Sequence, residues 1–329
     1  MSADLIRESA GWFNLPTNNP YLRATMENKS VICVGAALVD QIFTGKGPIE
    51  SGTSNPSTLF RSPGGVARNI ASHLARLGHR VELISHIGTD PDGDWLYKKC
   101  VEAGIGMSHV IRNEEPTGSF TAINQPNGEL YVGASVSALE TELTCPHLES
   151  KSDILRNARL LILDCNLHTD SINWILNFAQ ENKVPCIIEP VSVSKAKKLN
   201  HANLSHTLMI SPNEIELCAI ADTDDLTVAI EKVHSRGLKY LWMRSGSKGS
   251  TIYSRTEKTH LAAPNASVQD STGCGDAALA GWVHGWLLGA KQEECLKYGH
   301  TLAGMAIATK GAELIQLNRN TLNEALKEI

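Results

Sequence analysis

The chain has 329 residues, a formal net charge of −5, and 42% hydrophobic and 20% charged residues. That balance is ordinary for a globular protein: it excludes disorder as the main state, and neither a bilayer span of about 20 apolar residues nor the basic balance of a nucleic-acid or acidic-membrane binder is present. At about 100 to 200 residues per domain, two domains or one large α/β unit with insertions both fit.

Residues 1–29 include Pro16 and Pro20, show no sustained periodicity and are read as an N-terminal extension, with a short helical stretch near Ile6 to Phe13. Asp4, Arg7 and Glu8 interrupt any signal-peptide core, so the protein is expected to be intracellular. Its eight cysteines show no C-x-x-C pair and are expected to be reduced thiols, mostly buried. The sequons at Asn28, Asn203 and Asn265 are then chance matches.

From Val31 short apolar runs alternate with amphipathic helical patterns, the signature of an α/β fold with a largely parallel sheet. The first strand is expected at 31–36. The stretch Val34-Gly35-Ala36-Ala37-Leu38-Val39-Asp40 lacks the later glycines of a dinucleotide fingerprint, which disfavours an oxidoreductase. Asp40, placed at the end of that strand, can grip sugar hydroxyls or be a surface turn residue.

Residues 41–62 break the α/β pattern. Next, Ser62-Pro63-Gly64-Gly65-Val66-Ala67-Arg68-Asn69 leads into a helix marked by Val66, Ile70, Leu74 and Leu77 and stopped at Gly78. Gly64 and Gly65 can present backbone N–H groups to a ligand hydroxyl, with Asn69 facing the same mouth; a plain loop-to-helix junction is the alternative. A strand is expected at 81–86. Residues 117–136 break the pattern again, reading as two short strands joined by an Asn127-Gly128 turn. With no helices to cover them, these two insertions suggest a small β lid.

Strands at 160–164 and 185–189 flank a helix whose apolar face is Ile172, Ile175, Leu176 and Ala179, a βαβ unit. A strand at 207–211 leads into Pro212-Asn213-Glu214-Ile215-Glu216, near a strand's carboxyl end, where open sheets bind ligands. A carboxylate there can hold Mg²⁺ through water, and Asn213 with Glu216 also matches a helix capping box. A strand at 239–243 runs into Ser245-Gly246-Ser247-Lys248-Gly249, which can clamp a nucleotide's phosphates or serve as a glycine-rich turn.

The last segment is Asp270-Ser271-Thr272-Gly273-Cys274-Gly275-Asp276, followed by a helical run of small and apolar residues. Glycines before a helix let the backbone approach an anion, and the first-turn N–H groups with the helix dipole supply positive potential. Such a nest suits a phosphoryl group in transfer, with Asp276 at its rim as a base. Asp270 and Thr272 offer oxygen ligands for a cation beside it. A tight turn with a capping Asp is the alternative. No H-E-x-x-H, zinc-spaced cysteine, G-x-S-x-G or G-x-x-x-x-G-K-[ST] pattern occurs.

From Val31 onward these segments resemble, in order, the ribokinase-like (PfkB) family of carbohydrate and nucleoside kinases. The resemblance implies a ribokinase-like three-layer sandwich over residues 30–329, with a largely parallel central sheet and a small β-sheet lid built from 41–62 and 117–136. It implies ATP and Mg²⁺ as cofactors, Asp276 as the catalytic base and Gly273, Cys274 and Gly275 as the anion hole. Cys274 stands where the family commonly has alanine, which a hole made of backbone N–H groups tolerates.

The same resemblance implies substrate contacts at Asp40, Gly64, Gly65, Asn69, Thr117 and Asn166, with Thr117 reaching in from the lid. ATP would meet Asn213, Ser245, Gly246, Lys248 and Gly249. Glu189 and Glu216 would order water around Mg²⁺, and a monovalent cation, K⁺, would sit near Asp270 and Thr272 with backbone ligands around Ala306 to Gly311. Within the family, Gly64 to Asn69, Asp164-Cys165-Asn166 and Glu189-Pro190-Val191-Ser192 are most similar to the pseudouridine kinase branch. The expected reaction is phosphorylation of a nucleoside 5′-hydroxyl, with ribose, another sugar or nucleoside, or a catalytically inactive ligand binder as alternatives. A homodimer through the lid is expected, and no nucleic-acid or membrane partner.

Overall fold

A computed structural model describes residues 29–264 and 267–327. The extension expected at 1–29 therefore lies, but for its last residue, outside the described residues.

An eight-stranded sheet forms the centre, in the order β12-β11-β10-β9-β8-β7-β1-β4. Its strands are β1 Val31–Val34, β4 Val81–Ile84, β7 Leu160–Asp164, β8 Cys186–Glu189, β9 Thr207–Ile210, β10 Tyr240–Arg244, β11 Ser250–Tyr253 and β12 Lys258–Leu261. All neighbours from β10 to β4 are parallel, while β11 and β12 add an antiparallel edge. The parallel strands read as unbroken apolar runs because both of their faces are covered.

The helices are α1 Val66–Arg76, α2 Pro91–Glu102, α3 Thr169–Asn182, α4 Glu214–Ala221, α5 Leu226–Ser235, α6 Cys274–Leu288, α7 Gln292–Ile307 and α8 Arg319–Ala325, with shorter turns between. Residues of β1 alternate between two cores. Val31 and Cys33 pack with Ile70, Leu74, Trp242 and Trp282 on the side of α1, α2, α6 and α7. Ile32 and Val34 pack with Ile172, Ile175, Leu217 and Val233 on the side of α3, α4 and α5. The result is the three-layer sandwich expected from the sequence.

A second sheet, β3-β2-β5-β6, is the lid: β2 Leu38–Gly45, β3 Ser57–Gly64, β5 Ser119–Asn124 and β6 Leu130–Val136. It starts earlier and ends later than 41–62, and this corrects one placement. Asp40 is not at the end of β1, which stops at Val34, but within lid strand β2 opposite Ser62 and Phe120. Every residue of β6 is exposed, including Leu130, Tyr131, Val132 and Val136. All eight cysteines are free thiols.

Candidate active site

The carboxyl ends of β7, β8 and β10 bring Asp164, Glu189 and Arg244 to one end of the sheet, where the crevice of an open parallel sheet lies. The N-termini of α1 and α6 arrive over the same end. They meet through one hydrogen bond, from Asn69 Nδ2 to Asp276 Oδ2 at 2.7 Å. Sequence positions 207 residues apart thus form the centre of the site.

Asp276 is 8% exposed. Burial pushes its carboxyl up to about 7, the Asn69 bond draws it down, Glu189 pushes it up and Arg244 draws it down. Ahead of it Gly273 adopts φ 74°, and a Cβ there would stand 2.5 Å from the Cβ of Ala312, so glycine is required on both counts. Among the described residues the N–H groups of Gly273, Gly275 and Asp276 meet no acceptor. Of the expected anion hole Gly273, Cys274 and Gly275, the Cys274 N–H instead donates to the Ser271 carbonyl at 3.3 Å, leaving the glycine N–H groups open at the helix start. The Cys274 thiol lies 3.8 Å from the carbonyl of Asp270, with burial raising it to about 11, so it stays neutral.

The Gly64-Gly65 mouth is shaped by two aspartates. Gly65 has φ 93°, and a Cβ there would fall 2.4 Å from the Ala36 carbonyl oxygen. Fully buried Asp164 fastens this junction: Oδ2 accepts the N–H groups of Ala36 and Ala67 at 2.9 Å each, and Oδ1 accepts both N–H donors of Asn166 at 2.9 Å. Asn166 Oδ1 in turn accepts from Lys195. Asp40, 7% exposed, borders Gly64 so closely that a Cβ on that glycine would strike its carboxylate, yet it accepts no hydrogen bond among the described residues. Burial pushes Asp40 up to about 6, with Arg68 lowering it and Asp270 raising it, so Asp40 and Asp270 feel each other across the cleft.

Arg68, 1% exposed, braces the mouth from behind by donating to the carbonyls of Pro63 (2.7 Å) and Gly64 (3.3 Å) and to Asn69 Oδ1. Glu313 balances its charge at 3.6 Å and also pairs with Arg76 at 2.7 Å. Thr117, expected to reach the substrate from the lid, instead donates its hydroxyl and backbone N–H to Asp90, the N-cap of α2, at 2.8 and 2.7 Å.

On the other side, Asn213 and Glu216 form a full capping box at 2.9 and 2.8 Å, so the structural alternative holds. Glu216 also faces Arg244 at 3.9 Å, and Arg244 donates to Glu189 at 2.7 Å. Burial raises the Glu216 carboxyl further than its hydrogen bond from Asn213 lowers it. The two acids fit a hydrated Mg²⁺, which keeps several waters and needs few protein ligands; among the described residues no trio of acidic, histidine or cysteine groups could enclose a metal directly. The Ser245–Gly249 turn follows Arg244, with Ser245 donating to Glu214 at 2.9 Å and Lys248 exposed.

Asp270 accepts the N–H groups of Thr272 and Gly311 at 2.9 Å each, and the Ile307 carbonyl accepts those of Gln269 and Asp270. The two segments expected to flank a monovalent cation therefore lie side by side. Lid residue Phe60 covers them, with Lys310 Nζ 4.5 Å from its ring centroid.

The sequence reading gave no role to Asp164, which it named only within a motif, and passed over Arg244 and Glu313. For the first two a signal existed: each is the charged residue ending an apolar strand, where parallel sheets place functional groups. Glu313 follows a loop and carried none.

Residues 28–318 match the family model described as pfkB family carbohydrate kinase. The chain is 28% identical over 290 residues to the pseudouridine kinase of Escherichia coli (strain K12), covering 86% of this chain and 91% of that one. It is 26% identical over 325 residues to a ribokinase of Arabidopsis thaliana, covering 94% and 84%. The structure of Arabidopsis thaliana ribokinase complexed with ribose and ATP superposes with a TM-score of 0.76 at 24% identity, covering 91% of this chain and 99% of that one.

Proposed function

From the premise that this chain belongs to the pfkB family of carbohydrate kinases, we propose that it transfers the γ-phosphoryl group of ATP to the 5′-hydroxyl of a nucleoside, pseudouridine before others. The observation that carries this reading is the pairing of buried Asp276 with Asn69 beside an open nest of N–H groups. Asp276 takes the proton of the attacking hydroxyl as the new O–P bond forms and the bond to the departing ADP oxygen breaks. A base near 7 is matched to neutral pH. The open N–H groups of Gly273 and Gly275 would receive the charge that grows on the phosphoryl oxygens, with that of Cys274 joining them on release of the Ser271 carbonyl.

Asp40, Gly64, Gly65, Asn69 and Asn166 would hold the ribosyl part. The unpaired Asp40 carboxylate suits a sugar diol, which offers two donors to an acceptor-only group. Asn213 and the Ser245–Gly249 turn, with Gly246 and Lys248, would border ATP. Mg²⁺, when bound, neutralises the phosphates of ATP, and Glu189 and Glu216 would hold its waters. Asp270 and Thr272, beside the carbonyls of the 306–311 loop, would hold K⁺.

Pseudouridine is favoured by the similarity to a pseudouridine kinase over nearly the whole chain. Ribose is the second reading, because the match to a ribokinase is longer, 325 against 290 residues, and nearly as close, 26% against 28% identical. The exposed edge of β6 supports pairing of two copies through the lid; a light-scattering mass of one chain at micromolar concentration would count against it. An ATP-consumption assay over pseudouridine, uridine and ribose decides the substrate. Preference for uridine or ribose defeats the narrower claim and leaves the kinase standing; no consumption with any of a wide panel defeats the kinase reading.

A further inference from the structure

At the opposite end of the sheet lies a cavity of about 310 Å³ bordered by Lys29, His79, Arg80, Arg159, Arg319 and Leu287. These residues sit at the amino ends of β1, β4 and β7, the carboxyl ends of α1 and α6, and, for Arg319, the amino end of α8. Its volume is at the small end of the range of about 300 to 1,000 Å³ typical of ligand pockets. Among the described residues no acidic side chain borders it.

Two of the cations have structural work: Arg319 Nε donates to the carbonyl of Leu77 at 2.7 Å, and Arg159 donates to that of Leu287, both at helix ends. Those two ends carry roughly half a negative charge each, about one unit together. Against that unit stand Lys29, Arg80 and Arg319, none of which forms an ion pair among the described residues, with Arg159 beside them. Among the described residues Lys29, Arg80 and Arg319 thus leave the cavity with excess positive charge. His79, hydrogen-bonded to His284 at 2.7 Å, is held neutral by burial first and then by His284, Arg319 and Arg159. It brings no compensating negative charge.

We propose that this cavity is a second anion site, built for a small phosphate-bearing molecule such as inorganic phosphate or diphosphate. Guanidinium forks match phosphate oxygens two at a time, and exposed Arg80 and half-buried Lys29 offer charge at the rim to a bound anion. It is separate from the phosphoryl-transfer nest: α6 alone, 15 residues long, spans about 22 Å between them. The inference stands whatever substrate the active site takes.

The test is calorimetric titration of inorganic phosphate, and separately of diphosphate, into the full chain and into a Lys29→Ala/Arg80→Ala variant, with circular dichroism as the control for folding. The expected result is binding to the native chain that weakens about tenfold or more in the variant, as loss of charge-assisted contacts entails. Should the double variant fail to fold, Arg80→Glu, a charge reversal at an exposed position, carries the same expectation. Equal affinity in native and variant chains, or no binding to the native chain at millimolar phosphate, overturns the proposal.

Discussion

Replacing Asn69 by alanine isolates what tunes the proposed base. The Asn69 amide donates to Asp276 at 2.7 Å and is the leading influence holding that carboxyl down against burial. A hydrogen bond to a charged group is worth about 1.5–3 kcal/mol, and one pH unit corresponds to about 1.4 kcal/mol. Losing it favours the protonated acid, so the group rises from about 7 by about 1–2 units. Because the base must be unprotonated to work, activity falls as pH drops through that value. The acid limb of kcat/KM against pH, which reports the free enzyme, is expected near 7 in the native protein and displaced upward by that amount in Asn69→Ala. The position of the limb is read, not its height, so partial loss of folded protein does not confuse the result. A limb that stays in place, or moves downward, refutes the reasoning.

Arg244→Gln is expected to move the same limb upward by less, since Arg244 acts on Asp276 through space and ranks below the Asn69 bond; a downward shift in the pH profile would contradict this. Gly65→Ala forces a Cβ to within 2.4 Å of a backbone carbonyl at φ 93°, so a loss of about 1–3 kcal/mol or more is expected in denaturant unfolding, and an unchanged midpoint would show that the junction can yield. Glu313→Gln leaves Arg68, 1% exposed, and Arg76 without their carboxylate. A cost of about 3–5 kcal/mol is expected by the same measurement, and a neutral result would mean that water replaces the ion pair.

The layered fold was readable because buried parallel strands advertise themselves as apolar runs, as at Leu160–Asp164 and Thr207–Ile210. The antiparallel edge was not: Lys258–Leu261 is three polar residues followed by one leucine, and half of its four positions are exposed. Of the site, Gly64-Gly65, Asn213 with Glu216, and 270–276 were legible because each is a short motif with its own local physics. Asp40 was misplaced because β1 stops two residues short of the expected end and the chain turns into the lid before Leu38. Thr117 was legible as a position but not as a helix-cap partner, since Asp90 lies 27 residues away. Nothing local could reveal that Asn69 and Asp276 touch; that contact exists only once α1 and α6 pack together.

The central claim is that Asp276 is the proton acceptor in phosphoryl transfer. It is tested most directly by the turnover of Asp276→Asn with saturating ATP and the preferred acceptor, beside calorimetric titration of ATP. The account predicts ATP affinity close to native and turnover lower by about 10²–10⁴. Turnover near the native value, with ATP bound as before, would contradict it.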